Sequence, residues 1–374
     1  MKYRLMTSGP TEVRENVRLA RSLEFTNPDM DPDFNDFYKE TCNRLAKVVN
    51  TNSQAIIMGG EGLMGLEAAC ASLTEPGDRV LVIDNGIFGK GFAEFVKIYG
   101  GEPVVFTTDY HKPVSISELE AYLKRDHDFK YATMIHCDTP TGVLNDVVAM
   151  SNLLNRYGIM SVADTVAGLF GENLDMGSSS IDILCGGSQK ALSAPPGLTM
   201  VWISERAFET MENRKTPITG FYLNLLKYRK YDEFPYTMPI SDIIGLRRAL
   251  DNYFEDTNVI NRHSDIAKAT RKAITMSGLQ LYLKDGWANT VTVINTPKGI
   301  STRQIIQGMC EDYSIMISPG LADMSETVFR IGHMGENCYR DKVAETLVAL
   351  QGTLTKLGVE LKCNMEEEFR RGMI

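Results

Sequence analysis

The sequence predicts an α/β fold: a mostly parallel sheet with helices on both faces, followed by a smaller α+β C-terminal domain. Short runs that are apolar at every position alternate with segments of helical period between residues 34 and 203. Such runs, when helices separate them, are typical of a parallel sheet buried on both faces. Beyond about residue 255 the pattern changes to long helices and short strands, which predicts the second domain.

The larger domain begins with a predicted helix over residues 34–49, whose apolar positions recur at helical spacing. The predicted strands are 55–58, 79–83, 103–106, 131–137, 159–164, 181–185 and 198–204. The predicted helices between them are 66–73, 91–99, 117–125 and 151–158. Sheets of this kind bind ligands beyond the carboxyl ends of their strands, so we expect functional side chains just after strands.

The smaller domain combines two helices with three short strands. The predicted helices are 261–279 and 341–358, and the predicted strands are 291–296, 314–318 and 328–332. The predicted domain limits are 1–14 for an N-terminal arm, 15–255 for the large domain and 256–374 for the small one. We expect the last residues, 366–374, to be a solvated and partly frayed end.

The composition excludes several classes of function. The net charge of -9 and the lack of a basic run argue against a nucleic-acid partner. No apolar stretch reaches the roughly 20 residues of a bilayer crossing, and the first residues lack the apolar core of a signal peptide. The 7 cysteines are scattered, without C-x-x-C pairs or a histidine cluster. This pattern favours reduced cysteines in a cytoplasmic protein without a metal site.

The segment 182–197 contains a candidate nucleophile. An apolar strand ends in small residues, Lys190 follows, and Pro195, Pro196 and Gly197 close the loop. Lysines usually lie in water, but burial lowers the pKa of a lysine and makes its amine usable for Schiff-base chemistry. An ordinary surface lysine in a loop is the alternative.

The segment 58–69 passes from a strand through glycines into a helix, whose N-terminal N–H groups suit a phosphate. Gly60, Gly62 and Gly65 also fit the G-x-G-x-x-G of dinucleotide-binding proteins, and Asp84 ends the next strand about 20 residues later. Because the motif alone is a weak signal and a helix precedes this strand, a phosphate site is favoured over a dinucleotide site.

Further polar side chains follow predicted strands. Asp164 closes the strand at 159–164 and is either a helix cap or a functional carboxylate that shares a crevice with Lys190. Thr139 and Thr141 offer hydroxyl groups at another strand end, although Thr-Pro and Thr-Gly also favour simple turns.

Phe88 and Arg330 complete the set. Phe88 follows the strand at 79–83 and can stack on a ring, although such residues more often belong to the core. Arg330, on an apolar strand, requires either a structural glutamate or the carboxylate of a substrate. A phosphate loop, an aromatic platform, a carboxylate, an amine and an arginine are what a pyridoxal 5'-phosphate (PLP) site requires.

The sequence resembles the class V, fold-type I PLP-dependent aminotransferases, specifically the alanine–glyoxylate and serine–pyruvate branch. The resemblance spans about residues 5–358. Its motifs are HCDTPTGVLND (136–146), VADTVAGLFG (162–171), GSQKALSAPPG (187–197) and FRIGHMG (329–335). It implies a homodimer with both active sites at the interface, and substrates that are small amino acids and 2-oxo acids.

The resemblance also implies roles around the cofactor ring. Lys190 would form the internal aldimine and then move the proton between Cα and C4′, while Asp164 would keep the pyridine nitrogen protonated. The other residues implied near the ring are Val166 and Phe88 on its two faces and Thr139 or Thr141 by its hydroxyl group. The implied phosphate ligands are the Gly62 and Leu63 amides, the Gln189 side chain and Thr237 of the other subunit. The implied substrate ligands are Arg330 and the backbone near Gly9.

Four positions depart from the family pattern. Phe88 replaces the usual Trp or Tyr, which preserves stacking, and Pro140 replaces a residue that often has a hydroxyl group. Phe234, in the segment 234–239, cannot supply a phenol to the phosphate. Glu61 stands where Ser is common, and a carboxylate beside a phosphate is unfavourable unless its side chain points away, so the expected phosphate ligands here are the backbone amides.

The leading prediction is an aminotransferase that moves an amino group from a small amino acid, such as alanine or serine, to glyoxylate or pyruvate by a ping-pong mechanism. One alternative is a PLP lyase or cysteine desulfurase. Such enzymes usually have His before the Schiff-base lysine, where this chain has Gln189, and neither Cys310 nor Cys338 has an electropositive setting. A nicotinamide-dependent dehydrogenase is a second alternative, and it leaves Lys190 unexplained.

Overall fold

The computed structural model describes residues 3–24, 26–231 and 233–373. Its strands are β1 (Arg4–Leu5), β2 (Gln54–Gly59), β3 (Arg79–Asp84), β4 (Glu102–Thr107), β5 (Tyr131–Ile135), β6 (Cys137–Asp138), β7 (Val143–Leu144), β8 (Met160–Asp164), β9 (Ile183–Gly187), β10 (Leu198–Ile203), β11 (Val291–Asn295), β12 (Ile315–Met316), β13 (Ser318–Pro319) and β14 (Val328–Gly332). Its α-helices are α1 (Glu15–Ala20), α2 (Pro32–Val48), α3 (Gly62–Leu73), α4 (Ile87–Ile98), α5 (Ile116–Leu123), α6 (Val147–Arg156), α7 (Glu205–Glu212), α8 (Ile240–Glu255), α9 (Val259–Met276), α10 (Thr302–Tyr313), α11 (Arg340–Lys356) and α12 (Met365–Gly372).

The central sheet has 7 strands in the order β2-β10-β9-β8-β5-β3-β4. β10 runs antiparallel to β2 and β9, and the other neighbouring pairs are parallel, which confirms the predicted mostly parallel sheet. The strand predicted at 131–137 ends at Ile135, and the next residues pair as the hairpin β6–β7. β4 lies at the edge of the sheet and is partly exposed, which suits Pro103 because proline cannot donate to a ladder.

Helices cover both faces of this sheet, because successive side chains of a strand point to opposite sides. Along β2, Ile57 packs in a core cluster with residues of α2, α6 and α8. Its neighbours Ile56 and Met58 pack in a second cluster with residues of α3, α4 and α7. The two clusters confirm the predicted arrangement of helices on both faces of the sheet.

The C-terminal part has an antiparallel sheet in the order β11-β14-β13, and β1 pairs with β12 in parallel. Side chains of α9, α10 and α11 form a third core cluster against this sheet, around Phe329 and Ile331. β14 places Arg330, between these two core residues, on the opposite side of the sheet. The predicted domain limits at residues 14 and 255 stay predictions.

The end of the chain differs from its prediction. Within the part of 366–374 that the structure describes, α12 is an ordered helix and not a frayed end. Met365 and Phe369, one helical turn apart, are fully buried and pack in the same cluster as α9. The prediction was wrong because the charged residues between Met365 and Phe369 made the segment resemble a solvated end.

None of the helices in the described ranges has the length and apolar character that a bilayer crossing requires.

Candidate active site

A cavity of about 380 Å³ is lined by residues that follow β5, β8 and β9. The predicted site residues in its lining are Gly9, Leu63, Phe88, Thr139, Asp164, Val166, Gln189 and Lys190. The predicted residues outside its lining are Gly62, Thr141, Thr237 and Arg330. The folded chain therefore gathers most of these residues from distant segments at one crevice beyond the strand ends.

Lys190 is half-buried and reaches into the cavity, where its Nζ donates a hydrogen bond to the Ser8 carbonyl oxygen at 2.6 Å. Burial lowers the pKa of this amine, and the charge of Arg330 lowers it further. Gly9 makes room for it, because a Cβ at this position (φ +104°) would lie 2.6 Å from Nζ. The lysine is therefore held inside the site and does not project from a solvated loop.

Asp164 is buried at the end of β8, where its Oδ1 accepts a hydrogen bond from the Val166 N–H at 2.8 Å. Burial raises the pKa of this carboxyl to about 7, and the nearby Asp138 and Glu61 carboxylates contribute in the same direction. A turn follows Asp164, so its carboxylate does not cap an α-helix. A cationic ring nitrogen in the cavity would favour the ionised form of this carboxyl.

Phe88 and Val166 supply apolar surface to the cavity. Phe88 lies in the first turn of α4, and its N–H donates to Asp138 at 3.1 Å. Val166 packs against the start of α3, because a Cβ at Gly62 would lie only 2.7 Å from its Cγ2. Gly62 therefore lets the helix approach the cavity wall closely.

The structure separates the two candidate threonines. Thr139 lines the cavity, whereas the Thr141 hydroxyl donates to the Asp138 carboxylate at 2.9 Å within the same tight turn. Arg330 lies behind Thr139, and its Nη1 is 3.4 Å from the Thr139 hydroxyl oxygen. Only Thr139 is therefore placed to contact a ligand in the cavity.

Arg330 is buried, and its Nε donates to the Pro319 carbonyl oxygen at 2.7 Å. Burial lowers its pKa to about 10, against the opposing influence of Asp138. No carboxylate of the residues that the structure describes lies within ion-pairing distance of this guanidinium. A structural glutamate, one of the two predicted partners, is therefore absent from the described part of the chain, and substrate binding by Arg330 stays a prediction.

The turn before α3 places a carboxylate among the predicted phosphate ligands. Glu61 is the N-cap of α3, and its carboxylate accepts hydrogen bonds from the Leu63 N–H at 3.0 Å and from the Gln189 side-chain amide at 3.1 Å. Glu61 does not point away from the turn, because the extended backbone of an N-cap (φ −83°, ψ 179°) places its side chain on an N–H group of the first turn. We call Glu61, Leu63 and Gln189 the α3 cup.

Two predicted contributions to the phosphate end lie elsewhere in this chain. Thr237 is exposed and its hydroxyl donates to Asp29 at 2.6 Å, so its contribution to the site of another subunit stays a prediction. Phe234 packs against the rings of Phe34 and Tyr38 at centroid distances of 5.6 and 4.9 Å. Pro140 is buried in the turn beside Thr139.

The acid that the dinucleotide interpretation requires, Asp84, does not line the cavity. The Asp84 carboxylate accepts hydrogen bonds from Thr107 at 3.2 Å and from the Tyr110 hydroxyl, and it lies outside the lining of the cavity. The cysteine of a desulfurase has no better support, because burial raises the pKa of Cys338 to about 12.

Asp138 is a site residue that the sequence predictions missed. It is buried, and besides Thr141 it binds the Phe88 N–H, so it fixes the turn at Thr139 and the start of α4 together. Gly86 makes room for it, because a Cβ there would lie 2.3 Å from the Asp138 Cγ. An acid close to the end of a buried strand, as at Asp164, could have identified it. The sequence prediction assigned this segment to the hydroxyl groups of Thr139 and Thr141 instead.

Comparison with known proteins gives a consistent result. The family described as Aminotransferase class-V matches residues 20–333. A pyridoxamine–pyruvate transaminase of Mesorhizobium japonicum is 30% identical over 95% of this chain and 92% of the relative. A serine–glyoxylate aminotransferase of Arabidopsis thaliana is 31% identical over 89% of this chain and 86% of the relative.

A solved structure is similar over nearly its whole length. The crystal structure of pyridoxamine–pyruvate aminotransferase from Mesorhizobium loti superposes with a TM-score of 0.94 at 29% sequence identity, over 99% of this chain and 96% of that chain. This similarity confirms the predicted fold-type I architecture.

Proposed function

Because the chain belongs to the class V aminotransferases, we propose that it transfers an amino group from a small donor to a small 2-oxo acid at the cavity around Lys190. Aminotransferases of this class and fold depend on PLP. The prediction of a transaminase is thereby confirmed, and the alternative of a nicotinamide-dependent dehydrogenase was wrong.

The observation that carries the proposal is the presence of a lysine of lowered pKa and a buried carboxyl in one cavity. Lys190 and Asp164 both line it, and Phe88 and Val166 add the apolar surface that a pyridine ring needs. We call these four residues the ring end of the cavity. Their chemistry fits the ring of the cofactor, whereas the phosphate end contains the carboxylate of Glu61.

Each residue of the ring end has a distinct task. When bound, the cofactor supplies a carbonyl carbon that takes up the amino group and a ring that accepts the electron pair freed at the substrate Cα. Lys190 would hold the cofactor, and its amine would move the proton at the substrate Cα. Asp164 would pair with the ring nitrogen, and Phe88 would stack on the ring.

Arg330 binds the carboxylate of the 2-oxo acid. Its guanidinium is buried, lacks an acidic partner among the described residues and lies against Thr139 at the cavity wall. A bidentate contact with a carboxylate is the interaction that such an arginine favours. A carboxylate is common to glyoxylate and pyruvate, which we propose as the acceptors.

The donor is of one of two kinds. Relatives of this chain are named for serine with glyoxylate and for pyridoxamine with pyruvate. For an amino-acid donor we propose a ping-pong order, because one amine group on Lys190 serves both halves of the reaction. We further propose a cytoplasmic homodimer, with Thr237 of one subunit near the site of the other.

The proposal is tested by half-reactions. Protein loaded with PLP or with pyridoxal is mixed with alanine, serine or pyridoxamine in turn, and the visible absorption band is followed before and after pyruvate or glyoxylate is added. We expect at least one donor to convert the aldehyde form to the amine form and an oxo acid to restore it. A protein that develops no band with either vitamer would contradict the proposal.

A further inference from the structure

We infer that the α3 cup is built for an uncharged hydroxymethyl group and not for a phosphate, so that the chain transaminates phosphate-free B6 vitamers and uses pyridoxamine as its amino donor. The inference rests on the proposed function and specifies the donor of that same site. The pyridine ring is common to all vitamers, so the ring end serves pyridoxamine as it would serve PLP. The distinction lies at the other end of the cavity.

Two of the donors predicted for a phosphate are already bound to a carboxylate of this chain. One oxygen of Glu61 accepts from the Leu63 N–H at 3.0 Å, and the other accepts from the Gln189 amide at 3.1 Å. These are two of the groups predicted to hold the phosphate. A phosphate could use them only by displacing Glu61, which would also remove the N-cap of α3.

The charge of the cup opposes a phosphate as well. Glu61 and Asp164 both line the cavity, and Lys190 is the only basic residue among the described residues that line it. A phosphate monoester carries close to two negative charges at neutral pH, so it would enter beside a fixed carboxylate without a cation of its own. A hydroxymethyl group carries no charge and meets no such repulsion.

The hydrogen-bonding pattern of the cup calls for a donor. Because a carboxylate only accepts, the Gln189 NH₂ must face Glu61. A hydroxyl group in the cavity can donate to the Glu61 carboxylate, whereas a fully ionised phosphate has no proton to donate. The cup therefore favours an alcohol over a phosphate.

The reaction balances without another reactant. The amino group leaves the aminomethyl carbon of pyridoxamine and bonds to the 2-carbon of pyruvate, and the oxygen of pyruvate is exchanged through water onto the new aldehyde. The aminomethyl carbon loses two electrons and the 2-carbon gains them, while Lys190 carries the proton between these carbons. Pyridoxamine and pyruvate thus give pyridoxal and alanine.

The test compares two ligands and two substitutions in the full chain. Protein stripped of vitamers is titrated with pyridoxal and with PLP, and Kd values are obtained from calorimetry and from the absorption band. We expect pyridoxal to bind at least tenfold more tightly than PLP. Glu61→Ser, which keeps an N-cap side chain, should tighten PLP at least tenfold, and Glu61→Gln should do so in part.

Exposed Glu94 on α4 provides the matched control, because Glu94→Gln removes one negative charge outside the cavity and should leave both Kd values unchanged. Steady-state formation of pyridoxal from pyridoxamine and pyruvate, without added PLP, is the expected activity. Tighter binding of PLP than of pyridoxal by the unaltered protein, with no gain in Glu61→Ser, would overturn the inference and leave the proposed function standing. If neither vitamer binds, both fail.

Discussion

At the ring end of the cavity, Lys190 and Asp164 form the amine and carboxyl pair expected of a transaminase, whereas at the α3 cup a carboxylate of the chain occupies the place expected for a phosphate. The two ends line one cavity and follow the same local rule, a polar side chain at or just after the end of a buried strand. They differ in what the local N–H groups bind. At the α3 cup the backbone directs the Glu61 carboxylate onto the Leu63 N–H, whereas a phosphate site would leave that N–H group to the ligand. The comparison teaches that a glycine-rich turn before a helix does not by itself define an anion site.

Lys190→Ala should have the largest effect, a loss of at least about 10⁴-fold in kcat, because both covalent attachment and proton transfer depend on this amine. Exposed Lys90→Ala on α4 is the matched control and should keep full activity. Single-turnover absorbance measures the loss. Retained transamination in the Lys190 variant would remove the ring end from the mechanism.

Asp164→Asn should lower kcat about 10²–10³-fold, because the ring nitrogen loses the ionised partner that stabilises its charge during proton transfer. The variant should still bind the vitamer covalently, since Lys190 is untouched. The absorption band reports binding and the half-reaction rate reports chemistry. Equal rates in the variant and the unaltered protein would show that the carboxylate does not act on the ring.

Asp164 also predicts a pH dependence of stability. Its pKa in the folded vitamer-free protein is about 7, above the ordinary value of 3.8. Between these two pH values the folded chain keeps a proton that the unfolded chain has lost, so the free energy of unfolding falls as the pH rises from 3.8 to about 7. Asp164→Asn should therefore raise the free energy of unfolding by roughly 2–3 kcal/mol more at pH 8 than at pH 5. Urea unfolding at both pH values checks this, and an equal gain at both would mean that Asp164 is not shifted.

Arg330→Lys should have a smaller effect, an increase of about 30-fold in KM for pyruvate with a lesser change in kcat, because a bidentate contact with the substrate carboxylate is lost. Arg303→Lys, at an exposed position on α10, is the control. A change confined to kcat would place Arg330 at the reacting atoms and not at the carboxylate.

Much of the ring end could be predicted because its residues follow directly from the strand pattern. The strand that ends at Asp164 and the strand that ends shortly before Lys190 are mainly apolar and buried at every position, so their carboxyl ends could be located and the side chains there compared. Thr139 and Thr141 could not be separated, because they lie in one tight turn where the direction of each side chain depends on the contact with Asp138.

The direction of the Glu61 side chain and the formation of helix α12 depend on three-dimensional contacts that the sequence pattern does not reveal. The chemical conflict between Glu61 and a phosphate was apparent, but the N-cap conformation that points the side chain inward is a property of the folded turn. In α12 the burial of Phe369 depends on the position of α9, which is remote in sequence.

The most direct test of the contrast between the two ends is a competition for Lys190. The full chain is incubated with equal amounts of pyridoxal and PLP, the covalent adduct is fixed with borohydride, and the digested peptides are identified by mass spectrometry. We predict one modified residue, Lys190, whose adduct mainly lacks the phosphate. An adduct on Lys190 that mainly carries the phosphate would contradict the role of Glu61, and adducts spread over surface lysines would contradict the site itself.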